Sequence, residues 1–92
     1  MKRREPRVGD LYRYFQGDTF KIICLAYCPD NKDRMVVYMK CFPSTKKIYS
    51  LKANTASVRS LTTFMAEVDR EKYPDAKQKY CFEWVASQPS EI

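Results

Sequence analysis

The sequence predicts a mainly β fold, a small and partly open β-barrel of five or six short strands with one or two short helical turns. Apolar and polar residues alternate over 11–15, 19–27 and 35–41, in segments rich in Val, Ile, Tyr and Phe. Short polar turns, Gln16-Gly17-Asp18 and Pro29-Asp30-Asn31-Lys32-Asp33, separate them. Helical spacing is nearly absent, and 92 residues suffice for one domain with a small buried core.

Residues 1–8 carry Lys2, Arg3, Arg4 and Arg7 against Glu5. They read as a flexible basic arm, either a solvated leader or an arm that orders on contact with an anion. The barrel domain covers 9–85. In the first strand Leu11, Arg13 and Phe15 share one face, and Tyr12 and Tyr14 the other. Gly17 supplies the positive φ of the turn that follows. The second strand is apolar on both faces, with Phe20, Ile22, Cys24 and Ala26 opposite Ile23, Leu25 and Tyr27. That predicts a central strand buried on two sides, or one that bends between two layers. The third strand, 35–41, completes a hairpin with it.

Beyond residue 41 the pattern weakens. Ser44-Thr45-Lys46-Lys47 reads as a loop tip, 48–51 as a strand, 52–57 as loop and 58–61 as a further short strand. Thr62 or Thr63 caps a helical turn through Phe64-Met65. Residues 69–73 read as a second short helix, stopped by Pro74. Residues 79–85 form a closing strand, with Tyr80, Phe82 and Trp84 alternating on one face as core residues; exposed instead, Trp84 marks a protein contact. Residues 86–92 read as a disordered tail.

Composition narrows the function. The chain has no histidine, the side chain that most often transfers protons near neutral pH. Before Glu67 there are 13 Lys or Arg against five Asp or Glu; from Glu67 onward there are four against six. The excess positive charge therefore lies in the first two thirds and attracts anions there. No apolar run approaches a membrane span, and no secretory signal opens the chain, so the expected location is the cytoplasm. In that setting Cys24, Cys28, Cys41 and Cys81 read as reduced thiols. Disulfides, a metal site or a reactive thiol are the alternatives. The spacing of Cys24 and Cys28 is not that of a zinc knuckle. No catalytic set, cofactor site or metal site is expected, since no base stands ready for a cysteine nucleophile and the two glycines make no phosphate loop.

Four motifs in order resemble a single bacterial and phage family. They are Tyr12-Arg13-Tyr14-Phe15-Gln16-Gly17, Met35-Val36-Val37-Tyr38, Arg59-Ser60-Leu61 with Phe64-Met65, and Glu67-Val68-Asp69-Arg70-Glu71-Lys72-Tyr73-Pro74 with Gln78-Lys79-Tyr80 and Phe82. Over residues 9–84 the chain is similar to the family of domain of unknown function 1653, whose members look like single SH3-type barrels. The resemblance implies an SH3-like barrel. It also shows departures: where the family pattern carries a histidine, a lysine and a proline, this chain has Tyr14, Gln16 and Ser60. A function that used that histidine or lysine is lost or changed here.

The residues favour binding over catalysis. The candidate ligand-binding residues are Arg3, Arg4 and Arg7 of the arm, Tyr12, Arg13 and Tyr14 of the first strand, Tyr38 and Lys40 of the third, Lys46 and Lys47 at the loop tip, and Arg59. Tyrosines interleaved with cations suit stacking on bases and contact with phosphates. Each has a structural alternative. Tyr12, Tyr14 and Tyr38 can cap a small core with their hydroxyls in water. Lys46 and Lys47 can be an ordinary polar tip, and Arg59 can pair with Glu67 or Asp69. The expected function is non-catalytic binding of an anionic partner, a nucleic acid or a nucleotide. The alternatives are a protein-interaction module or phage-encoded inhibitor of a host protein, and a homo-oligomer with its site between subunits.

Overall fold

The computed structural model describes residues 4–41 and 56–87. The expected loop tip at Lys46 and Lys47, the strand at 48–51 and candidate residue Arg3 lie outside them. Five antiparallel strands form one open sheet: β1 (Asp10–Tyr14), β2 (Thr19–Cys28), β3 (Asp33–Cys41), β4 (Ser57–Ser60) and β5 (Phe82–Ser87). Their order is β4-β3-β2-β1-β5, and the one helix among the described residues, the four-residue α1 (Leu61–Phe64), follows β4. The mainly β, partly open reading therefore holds.

Local chemistry explains the connections. Arg7 to Asp10 is a turn closed by the Asp10 N–H on the Arg7 carbonyl (3.0 Å), with Gly9 at φ 91°. Gly17, at φ 113°, closes the β1–β2 turn by donating to the Tyr14 carbonyl at 2.8 Å. The β2–β3 turn instead puts Lys32 in the left-handed region, at φ 57°. Two register shifts bend the sheet, one in β2 at Ile23, between Ile22 and Cys24, and one in β5 at Val85, opposite Leu11 and Tyr12 of β1. Each leaves one unpaired residue, which bends the strand and increases its twist. The sheet thereby curls around one face.

That face holds the core. Tyr12, Ile22, Val36, Tyr38, Phe64 and Phe82 form a buried cluster, with Tyr14, Phe20, Leu61, Met65 and Cys81 packed against it. Phe64 of α1 stacks on Phe82 of β5, with centroids 4.2 Å apart and planes 12° from parallel. The helical turn thus closes the open side of the sheet over a largely aromatic interior. By register, Leu11, Thr19 and Cys41 lie on the opposite face, and all three are buried.

Four expectations need correction. β2 is buried on both sides only in its first half. Cys24 to Tyr27 are exposed, because that half of the hairpin pairs with β3 alone and runs past β1. The cap of α1 is Ser60, whose hydroxyl accepts from Thr63 N–H at 3.2 Å, so the last residue of β4 itself starts the helix. Residues 69–73 form no second helix. Asp69 Oδ1 accepts from the N–H groups of Glu71 (3.0 Å) and Lys72 (3.4 Å) as a helix cap does, and Tyr73 N–H reaches the Asp69 carbonyl, but the turn stops there because Pro74 has no N–H for the next helical bond. Trp84 is not a core residue but 49% exposed. It pairs with Tyr12 and shares its face, yet β5 is an edge strand and gives it a neighbour on one side only.

Residues 4–8, read from sequence as part of a flexible arm, lie against the sheet. Pro6 is buried, Arg4 pairs with Asp10 (3.0 Å), and Glu5 pairs with Arg34 (2.8 Å). The closing strand starts later than predicted and runs on to Ser87, whose hydroxyl donates to Asp10 Oδ1 at 2.8 Å. Both ends of the described chain thus meet at one buried carboxylate.

Burial pushes the Cys41 thiol up, with Lys21 opposing, and burial likewise pushes the Tyr14 phenol up. Raised acids give stability that is complete below their unfolded pKa. It falls as pH rises past that value, because the unfolded chain releases the proton first. The urea midpoint is therefore expected to be flat through neutral pH and to decline above pH 9.0, the ordinary thiol value, with Tyr14 adding to the decline above 10.0. A Cys41→Ala chain should lose the lower part of that decline.

Candidate functional site

The candidate residues fall into three places. Arg4 and Arg7 lie beside a shallow depression of about 660 Å³, lined also by Glu5, Pro6, Leu25 and Arg34. Arg4 donates to Asp10 and to the Ser87 hydroxyl (3.0 Å), and its guanidinium lies 5.0 Å from the Trp84 ring centre. With Arg34 held by Glu5, two of the three arginines there are already neutralised. Lys40 pairs with Asp18 at 3.3 Å. Arg13 is exposed, and its carbonyl accepts from Gln78 Nε2.

Tyr12 and Tyr38 do not belong to a surface stacking platform. They are 1% and 4% exposed. Both occupy the concave face of the sheet, where Tyr12 meets Phe64 edge-on and Tyr38 meets Phe20 in the same way. This is a correction of the stacking role expected for them. Alternation places Tyr12 and Tyr14 on one face but does not say which face the sheet closes around.

Tyr14 and Arg59 do come together. β4 pairs with β3 so that Arg59 stands opposite Val36, on the core side of the sheet. From there its side chain lies across the aromatic cluster. The guanidinium carbon is 5.8 Å from the Tyr14 centroid and 5.6 Å from that of Phe82, and Nε donates to the Tyr38 hydroxyl at 2.6 Å. The expected ion pair with Glu67 or Asp69 does not form. Among the described residues no carboxylate lies within 4.0 Å of Arg59. Burial opposes its charge. The Tyr38 hydrogen bond and the fields of Tyr38, Tyr14 and Cys81 outweigh it and hold the arginine pKa above its ordinary value. A half-buried cation is therefore held over π faces with no counter-charge beside it.

Sequence reasoning missed the rest of this site. Phe15 lies 4.7 Å from Tyr14, and Tyr73 lies 4.8 Å from Phe15. Neither ring belongs to the buried cluster, and both are half-buried. Tyr73 sits on a connection, 69–78, that is fixed by its own hydrogen bonds. Its N–H donates to the Asp69 carbonyl at 2.8 Å. Arg70 donates to the carbonyls of Ala76 and Gln78, and Gln78 Nε2 donates to the carbonyls of Arg13 (3.1 Å) and Tyr80 (3.2 Å). Lys72 Nζ lies 5.8 Å from the Tyr73 ring centre. The only signal in the sequence was Tyr73 between a charged run and Pro74, which reads equally well as the end of a helix.

The four cysteines are free thiols. Cys81 lies beside this site and donates from Sγ to the Glu67 carbonyl at 3.7 Å. Among the described residues no three His, Cys, Asp or Glu side chains group as a metal site, and no helix is long and apolar enough to cross a membrane.

No curated protein and no solved structure matches the chain. A family of proteins of unknown function, DUF1653, matches residues 10–83, from the start of β1 into β5, a stretch that contains Tyr14, Arg59 and Tyr73. The chain therefore belongs to the DUF1653 family.

Proposed function

We propose that the chain is a non-catalytic binding module for an anionic partner, a nucleic acid or a nucleotide, and that Arg59 is the principal anion contact. One observation carries the reading. Arg59 is held against Tyr14, Phe82 and Tyr38, away from every described carboxylate, while Arg4, Arg34 and Lys40 each have one. A partly desolvated guanidinium fixed in this way binds an oxyanion with little further ordering. The strand order and the helical turn before the last strand support an SH3-like barrel as its frame. Four reduced thiols fit a cytoplasmic setting.

A second reading has its own support. Trp84 and Val85 are exposed on the edge strand β5, which suits a protein contact, including that of an inhibitor of a host protein.

The anion reading is tested by titrating the full chain into a fluorescent DNA oligonucleotide at two salt concentrations. Contact with about three phosphates of a single strand should weaken affinity roughly 20-fold when salt rises about fourfold. Affinity independent of salt contradicts it. A chain lacking residues 1–7 is a poor control, because it strips Arg4 from the buried Asp10.

A further inference from the structure

Resting on that reading, we infer that the partner of the Arg59 site is a single-stranded nucleic acid, with a phosphate on Arg59 and an unpaired base against the Phe15–Tyr73 rings. The strip runs Arg59, Tyr14, Phe15, Tyr73, Lys72, with successive separations of 5.8, 4.7, 4.8 and 5.8 Å. A cation stands at each end and three rings lie between, an arrangement that suits phosphates flanking a base. Base–aromatic stacking tolerates any sequence because every base has a π face.

Three features select the single strand. Small ligands such as free nucleotides are held in concave pockets that cover most of their surface. Two concavities among the described residues lie away from this strip: a notch of about 20 Å³ that includes Pro6, Val36 and Leu61, and the depression beside Arg4 and Arg34. A duplex hides its base faces and presents only backbone and groove edges, which leaves Phe15 and Tyr73 with nothing to stack on. Finally, Phe15 and Tyr73 stand outside the buried cluster, yet 69–78 is braced by Arg70, Asp69 and Gln78. That bracing presents Tyr73 in a set position, which a loop serving only to connect α1 and β5 does not need.

The depression beside Arg4 is the rival anion site. Its arginines are opposed by Glu5 and Asp10, which leaves Arg7 as the one cation there with no carboxylate within 4.0 Å among the described residues. No ring lines the depression, and the nearby Trp84 ring already carries the Arg4 guanidinium at 5.0 Å.

The test compares three probes of equal length on the full-length wild-type chain by fluorescence anisotropy: a thymidine oligonucleotide, the same strand made abasic, and its duplex. The thymidine strand is expected to bind about tenfold more tightly than the abasic strand and the duplex, since stacking of one base supplies roughly that factor. Tyr73→Ala should remove the advantage over the abasic strand while leaving the abasic affinity in place. Equal affinity for thymidine and abasic strands overturns the inference. If both are then weakened by Arg59→Gln, the anion reading survives alone; if Arg59→Gln changes neither, both readings fail. The wild-type comparison needs no variant, so a misfolded mutant cannot obscure it.

Discussion

Replacing Phe82 by alanine is expected to destabilise the chain by about 3–5 kcal/mol, the usual cost of emptying a buried aromatic position. Phe82 is 1% exposed and is the ring on which the others converge. It stacks on Phe64 at 4.2 Å and meets Tyr14 at 4.8 Å, Tyr38 at 5.4 Å and Phe20 at 6.0 Å. With Phe64 it ties α1, β1, β3 and β5 together, so little can collapse into the space it leaves. A domain of this size has a total stability of roughly 5–10 kcal/mol, so the variant should be marginally folded. Urea unfolding followed by far-UV circular dichroism measures this. With a slope of about 1–2 kcal/mol per molar, the midpoint should fall by roughly 2–3 M. A shift under about 0.5 M contradicts the packing described. Because Arg59 rests on the same ring, the Phe82 variant should also lose ligand binding, for structural reasons only.

The second large effect is expected at Asp10, which is 2% exposed. Its carboxylate accepts from Arg7 N–H (2.9 Å), Arg4 Nη2 (3.0 Å) and the Ser87 hydroxyl (2.8 Å). It therefore closes the turn before β1 and fastens the end of β5 to Arg4 and Arg7. Asp10→Ala should destabilise by about 2–3 kcal/mol, chiefly by leaving the Arg7 N–H and the Ser87 hydroxyl without their acceptor. The ion pair itself adds little, since the Arg4 side chain is 36% exposed and regains water when released. Arg4→Ala is the opposite case, because it leaves the buried carboxylate with fewer donors. In a double-mutant cycle Arg4→Ala should cost about 1 kcal/mol in the wild-type background and close to nothing once Asp10 is alanine. Additive costs would show that the two side chains act independently.

The same residues show how far the sequence could be read. β1, β2 and β3 were legible because alternation over five or more residues, bounded by Gly17 and by Pro29-Asp30-Asn31, has no good helical counterpart. The cap of α1 was misplaced because Ser60, Thr62 and Thr63 are all competent caps, and only the end of β4 decides between them. Residues 69–73 resembled a helix because nothing in Asp69-Arg70-Glu71-Lys72-Tyr73 forbids one. Asp69 does cap one turn there, but Pro74 has no N–H to continue it and Arg70 bonds onward to the Gln78 carbonyl. Of the candidate site, Tyr14 and Arg59, which the fold brings together, were named from strand alternation and a matched motif. Phe15 and Tyr73 were not, since 58 positions separate them in the sequence and only the fold of 69–78 brings the rings to 4.8 Å. Tyr12 and Tyr38 were misassigned for a related reason: periodicity sorts residues into faces, and the closing elements α1 and β5 determine which face is the interior.

The account depends on Arg59 being a cation held ready for an anion and not merely a lid on the aromatic cluster. The direct measurement is the affinity of the full-length chain for the thymidine strand at low salt, with wild type, Arg59→Lys and Arg59→Gln compared after circular dichroism shows each to be folded. Arg59→Gln should weaken binding roughly tenfold to a hundredfold, the worth of a charge-assisted contact, and Arg59→Lys should recover part of it. A folded Arg59→Gln chain that binds as tightly as wild type would contradict the account.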